Sequence, residues 1–140
     1  MKDRIDKIKG INEDFMQSTF YEPSSEDEII IFEEKMGISI PESYREFLKI
    51  SDGAEIFSSG MLYGVKDDAS FKINYDMTNG EIPKELIIIG YWNDKHICYD
   101  DRYDTYIFYE YEDYENIEEE CVDFNDIEEL LDYMIDIATN

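Results

Sequence analysis

Few residues in this chain could carry out covalent chemistry. There is one histidine, His96, and there are two cysteines, Cys98 and Cys121. On a strand, His96 and Cys98 would share a face and could form a Cys–His nucleophile. The alternative is an exposed turn histidine beside a packed cysteine, which we favour because cysteine is so often simply buried. Since the sequence also has no nucleophile elbow, phosphate loop or dinucleotide fingerprint, we expect no enzymatic activity and no cofactor.

Carboxylates are so abundant in this chain that finding two of them close together says little about function. With 36 Asp and Glu residues, close pairs arise by chance and do not indicate general acid–base catalysis. Asp100, Asp101 and Asp104 offer hard oxygen ligands on one predicted loop, yet the EF-hand spacing and its central glycine are missing. We therefore expect no dedicated metal site. Whether this loop binds a cation weakly is a question that the sequence leaves open.

The net charge of −24 restricts the choice of partner. Such a molecule repels phosphate groups, so nucleic acids and anionic membranes are poor partners and a basic protein is a good one. The first ten residues contain no apolar signal core, and the longest aliphatic runs, Ile29 to Ile31 and Leu86 to Ile89, are too short to span a bilayer. We expect a cytoplasmic protein with reduced cysteines.

Residues 100–120, DDRYDTYIFYEYEDYENIEEE, form an acidic and aromatic tract. One interpretation is a solvated edge strand and loop, whose charges discourage aggregation. The other is a binding face, because tyrosines supply rigid contact area and carboxylates steer a cationic partner. The tract's five tyrosines cannot all be in a core if they alternate faces. We expect the partner-binding residues to be Asp100, Asp101, Asp104, Tyr109, Glu110, Tyr111, Glu112, Asp113 and Glu115.

Apolar periodicity predicts four helices, three before a sheet and one after it. The first covers about residues 2–17. The second begins with a capping box at Ser25 and stops at Gly37. The third has Pro41 in its first turn, buries Tyr44, Phe47 and Leu48, and ends before a turn at Gly53. Asn125 is predicted to cap the last helix.

Between the third and last helices the pattern becomes that of strands joined by short turns. The predicted strands are residues 61–65, 86–92, 96–99, 105–111 and 121–124. Residues 86–92 are apolar on both faces and should be central. Residues 67–80 could be a helical turn or a loop. We predict a single α+β domain over residues 1–140, with an antiparallel meander packed against the N-terminal helices and a closing C-terminal helix.

The order of these motifs resembles the SUKH superfamily, which unites fungal cell-wall regulators of the Smi/Knr type with bacterial toxin-immunity proteins. The resemblance runs from about Ser25 to Asn140. It rests on SEDEIIIFEEKMG, then IPESYREFLKISDG, then the short segments MLYG, LIIIG and HICYD. It implies a compact α+β domain without catalytic activity, whose bacterial relatives inhibit secreted toxins, many of them nucleases.

The resemblance and the charge together give a leading hypothesis. The chain would be a non-catalytic immunity protein that binds and neutralises a cognate polymorphic toxin, of the nuclease type, through its acidic surface, because nucleases present cationic grooves. The alternative is a regulatory protein-interaction scaffold resembling the fungal cell-wall regulators. A third hypothesis is an undetected enzyme that uses His96.

Overall fold

A computed structural model describes residues 1–11, 16–69, 71–74, 85–109 and 123–139. Within these ranges it contains four helices and seven strands, which confirms the α+β prediction. The helices are α1 (Lys2–Gly10), α2 (Glu26–Met36), α3 (Glu42–Leu48) and α4 (Ile127–Thr139). The strands are β1 (Thr19–Phe20), β2 (Ala54–Ile56), β3 (Gly60–Leu62), β4 (Leu86–Trp92), β5 (Lys95–Asp100), β6 (Thr105–Tyr109) and β7 (Asp123–Phe124).

The strands form one antiparallel sheet in which each strand pairs with the next along the chain. This confirms the predicted meander. β4 lies in the middle of the sheet and is buried or half-buried at every position, as its two-faced apolar pattern predicted. Its pairing with β5 shifts between Ile88 and Gly90. A side chain at Gly90 would meet the Met61 carbonyl oxygen at 2.1 Å, so only glycine lets β3 approach this closely.

The helices pack through the apolar stripes that the sequence predicted. Tyr44, Phe47 and Leu48 of α3 are buried, as are Leu130, Leu131 and Met134 of α4. Both α1 and α3 contact α4, so these three helices pack together. No described helix has the length and apolar character needed to cross a membrane.

Several predicted helix boundaries were wrong. α1 ends at Gly10, not near residue 17, because glycine costs about 1 kcal/mol of helix propensity and Ile11 has extended dihedral angles (φ −90°, ψ 101°). Pro41 precedes α3 as its N-cap, with an extended ψ of 149°. The last helix is capped one residue later than predicted, because the Asp126 carboxylate accepts the Glu129 amide at 2.9 Å. The capping box of Ser25 and Glu28 and the end of α2 at Gly37 were predicted correctly, and Gly37 adopts a left-handed conformation.

The strand predictions were right in order and less exact in extent. β3 begins at Gly60 and ends at Leu62, so the predicted strand at residues 61–65 is displaced. β1 and β2 were not predicted, because strands of two or three residues carry no readable alternation. The sequence did not decide between a helical turn and a loop for residues 67–80. Within them, residues 71–74 pair with the chain that follows β3 through an isolated bridge between Gly64 and Lys72. The predicted strand ends at 110–111 and 121–122 lie outside the described residues.

Candidate interaction surface

The motif IPESYREFLKISDG contains a buried carboxylate, Asp52, next to its final glycine. Its Oδ1 accepts hydrogen bonds from the Ser24 hydroxyl at 2.6 Å and from the Val65 amide at 2.8 Å, and its Oδ2 accepts the Lys66 amide at 3.3 Å. These donors come from the segment before α2 and the segment after β3. Asp52 therefore ties the two segments together from inside the fold, and its oxygens are occupied by structural bonds.

Tyr44 plays a similar structural part in the same motif. Its hydroxyl donates to the carbonyl oxygens of Tyr63 at 2.5 Å and Ile89 at 3.2 Å, which joins α3 to the sheet at the irregularity in β4. Burial raises the pKa of Tyr44 well above its usual value, so the hydroxyl remains a neutral donor. The motif is thus a marker of the fold and offers no reactive group.

His96 and Cys98 lie two residues apart on β5, as the sequence predicted. Cys98 is completely buried, whereas His96 is half-buried and lies across from Tyr91 on β4 and Tyr109 on β6. The interpretation of Cys98 as a packed core residue was correct. The expectation that His96 is an exposed turn residue was wrong, because His96 lies within β5 and is half-buried between neighbouring strands. Cys121 lies outside the described residues.

Four of the nine expected partner-binding residues are described by the structure. Asp101 and Asp104 are exposed on the turn between β5 and β6. Asp100 and Tyr109, however, are only 3% and 1% exposed. Their side chains provide no contact area, which corrects the expectation for these two residues. The remaining five, which lie outside the described ranges, are Glu110, Tyr111, Glu112, Asp113 and Glu115.

The burial of Tyr109 has a physical reason that the sequence did not reveal. Side chains three positions apart on a strand point to opposite faces, and both Tyr106 and Tyr109 are buried. β6 is therefore covered on both faces, whereas we had expected alternating tyrosines to place some of their rings in solvent. Among the described tyrosines of the tract, the exposed one is Tyr103, in the turn.

The turn at residues 100–104 is organised by the buried Asp100. Its Oδ1 accepts from the backbone amide and the Nε of Arg102, both at 3.0 Å, and its Oδ2 accepts from Nη2 at 2.9 Å. This bidentate hydrogen bonding to Asp100 raises the pKa of Arg102. It also places the guanidinium 5.2 Å from the centre of the Tyr103 ring. Because Asp100 is already engaged by Arg102, it is poorly suited to hold a cation.

Asp104 completes the turn. It adopts a left-handed φ of 52°, and its Oδ1 accepts the Tyr99 hydroxyl at 2.6 Å. Burial and this bond raise the pKa of Tyr99. The turn therefore presents the ring of Tyr103, which is 57% exposed, between two exposed carboxylates, Asp101 and Asp104. We call residues 100–104 the acidic turn. No group of three or more His, Cys, Asp or Glu side chains in the described ranges could hold a metal ion.

A second surface feature was not predicted from the sequence. The run Ile29-Ile30-Ile31-Phe32 buries Ile29 and Phe32 but leaves Ile31 63% exposed. Ile31 borders a cavity of about 430 Å³ between α2 and residues 65–74. The sequence could have indicated this exposure, since three consecutive isoleucines on a helix cannot all face one core.

The fold and these surfaces define an α+β domain whose exposed features are suited to contact other molecules. The chain belongs to the SMI1 / KNR4 family (SUKH-1), whose model matches residues 23–131, more than half of the chain. This confirms the resemblance seen in the motifs. Domains of this family are of the immunity or regulatory type, interact with proteins and are generally non-catalytic. A search of curated proteins found no match to the chain.

Proposed function

We propose that this protein is a non-catalytic, cytoplasmic, single-domain immunity protein that binds and neutralises a cognate toxin with a basic surface, of the nuclease type. The observation that carries the proposal is the net charge of −24 on a member of a family with immunity-type domains. Among the described acidic residues, only Asp52 and Asp100 are buried, so the other carboxylates contribute to the field outside the protein. A nuclease that holds phosphates would meet that field with opposite charge.

Within this proposal the acidic turn supplies part of the contact surface. Tyr103 would provide a rigid aromatic contact, and Asp101 and Asp104 would face cationic groups of the toxin. Asp100 would act from inside by holding Arg102 and the turn in place. The contribution of Glu110, Tyr111, Glu112, Asp113 and Glu115 remains part of the same proposal.

Co-expression tests the proposal directly. Cells that produce a toxic protein encoded beside this gene should grow when the chain is present and die without it. The double variant Asp101→Lys, Tyr103→Ala should weaken toxin binding by about tenfold or more, because an aromatic contact is lost and a charge is reversed. Glu46→Lys, the same charge reversal at an exposed position of α3, should bind like the parent protein.

The outcomes separate the hypotheses. Failure to bind and rescue would refute the immunity function, and equal losses in Glu46→Lys and the double variant would refute the role of the acidic turn. Full rescue by His96→Ala is expected, and its failure would revive the enzymatic hypothesis.

A regulatory scaffold is the second candidate, and the apolar exposure on α2 favours it. Ile31 and Met36 lie in solvent beside a cavity, as expected for a docking surface. A stable host partner, recovered from cells that lack any toxin gene and lost on mutation of this surface, would support the scaffold function.

A further inference from the structure

We propose that the cavity between α2 and residues 65–74 is a second binding site, which takes an acidic peptide segment of another protein with an apolar anchor side chain. The cavity is here called the α2 groove. Its volume of about 430 Å³ lies within the range of sites that enclose ligands. Since its walls carry charge of the opposite sign to the acidic turn, its partner differs from the proposed toxin.

One face of α2 forms the first wall. Glu28, Ile31, Phe32, Lys35 and Met36 all line the groove, and their spacing of three and four residues places them on one side of the helix. Phe32 is buried and forms the floor, whereas Ile31 and Met36 are 63% and 42% exposed. An apolar anchor side chain of the peptide could therefore be buried between these exposed side chains and the ring of Phe32.

The opposite wall comes from the chain that follows β3. Val65 and Ile73 are buried there, and Phe71 is half-buried. Main-chain bonds hold this wall in place, since the Gly64 amide donates to the Phe71 carbonyl at 3.1 Å and the Ile73 amide donates to the Gly64 carbonyl at 3.0 Å. The two walls are therefore fixed elements of the fold, and both are mainly apolar.

The charges at the groove identify the chemistry of its partner. Three of the twelve Lys and Arg residues, Lys35, Lys66 and Lys72, line it. Neither Lys35 nor Lys66 forms an ion pair with a described residue, and Lys72 approaches Asp67 only to 3.9 Å. The three arginines of the chain, by contrast, are all paired: Arg4 with Glu128 at 2.7 Å, Arg45 with Glu33 at 2.6 Å and Arg102 with Asp100 at 2.9 Å.

The groove keeps a net positive charge, because its three lysines outnumber its two carboxylates, Glu28 and Asp67. Glu28 accepts the Ser25 amide at 3.0 Å in the capping box and is also attracted by Lys66. Asp67 is fully exposed and lies at the rim. On a molecule with a net charge of −24, carboxylates of a partner would be repelled by most of the surface and attracted at this groove. An apolar side chain flanked by Asp or Glu satisfies both the walls and the rim.

Selection from a phage-displayed library of random peptides, about twelve residues long, tests this inference without any toxin. Enriched peptides should carry an aromatic or long aliphatic residue beside Asp or Glu. The double variant Lys35→Glu, Lys66→Glu should bind a selected peptide about tenfold or more weakly, because attraction becomes repulsion. Ile31→Ser should also weaken binding, through the lost apolar contact. Fluorescence anisotropy of the labelled peptide measures both effects.

Matched controls lie on other helices. Lys7→Glu on α1 reverses an exposed charge away from the groove, and Ile137→Ser on α4 removes an apolar side chain that is 47% exposed. Both should bind the peptide like the parent protein. Enrichment of basic peptides, no enrichment at all, or equal losses in the control and groove variants would overturn the proposal. So would occupation of the groove by a second copy, seen as self-association that Ile31→Ser abolishes. Because no toxin is present, these results are independent of the rescue experiment.

Discussion

At the scale of single residues, buried polar groups hold the motif segments together. Asp52 and Tyr44 belong to the motif that the sequence singled out, and each bonds to segments distant in the chain. Their residue types hinted at polar chemistry. Their partners could not be read from the sequence, because most of them are main-chain groups, which leave no side-chain pattern, and the Ser24 hydroxyl is distant from Asp52 in the chain. The same limit explains Asp100, which was expected on the surface and instead anchors a turn.

Removal of the Asp52 carboxylate should be costly. Asp52→Ala leaves the Ser24 hydroxyl and the Val65 amide without their acceptor in a buried site, so we expect a loss of about 2–4 kcal/mol in the free energy of unfolding. Urea denaturation followed by circular dichroism measures this loss. Asp67→Ala, at an exposed position, should stay within about 0.5 kcal/mol of the parent protein. Equal effects in the two variants would contradict the structural role of Asp52.

The raised pKa of Tyr44 should make the stability of the protein depend on pH in the alkaline range. Burial raises its pKa in the folded state, so the folded protein keeps a proton that the unfolded chain loses above about pH 10. The stabilisation is complete below that value and falls as pH rises beyond it. Tyr44→Phe should be about 1 kcal/mol less stable at neutral pH, through lost hydrogen bonds. Its stability should fall less steeply than that of the parent protein between about pH 10 and about pH 12, as measured by urea denaturation. Identical slopes would contradict this account.

At the scale of helices and strands, the features predicted correctly were those that local sequence patterns determine. The capping box at Ser25, the end of α2 at Gly37 and the apolar stripe of α4 were all predicted and found. Short strands such as β1 escaped prediction because their pairing is set by distant segments. The extent of α1 was wrong because apolar spacing continued beyond Gly10 although the helix did not.

The closing helix α4 offers a test at this scale. Leu130 is fully buried on its apolar stripe, and α4 contacts both α1 and α3. Leu130→Ala should cost about 2–5 kcal/mol of stability by leaving a cavity. Thermal unfolding with a calorimeter would show the loss, and Ile137→Ala, at an exposed position of the same helix, should change stability far less. A small effect at Leu130 would mean that α4 is not part of the core.

At the scale of the whole molecule, the sequence predicted the family, the meander and the placement of charge outside the core. It could not predict where the contact surfaces lie, because that depends on which strand faces are covered. Tyr109 was expected on the surface and is buried, whereas the exposure of Ile31 was not predicted. The molecule thus carries two surfaces of opposite local charge: the acidic turn, proposed to bind a basic toxin, and the α2 groove with its lysines.

The central claim is that an acidic surface captures a basic toxin, and association kinetics test it most directly. Stopped-flow rates with the toxin encoded beside this gene should approach about 10⁸ M⁻¹s⁻¹ at low salt and fall steeply as salt is added. Reversal of Glu110, Glu112, Asp113 and Glu115 to Lys should slow association and flatten its salt dependence, with the fold intact by circular dichroism. A rate that does not depend on salt, or reversals that leave it unchanged, would contradict the account.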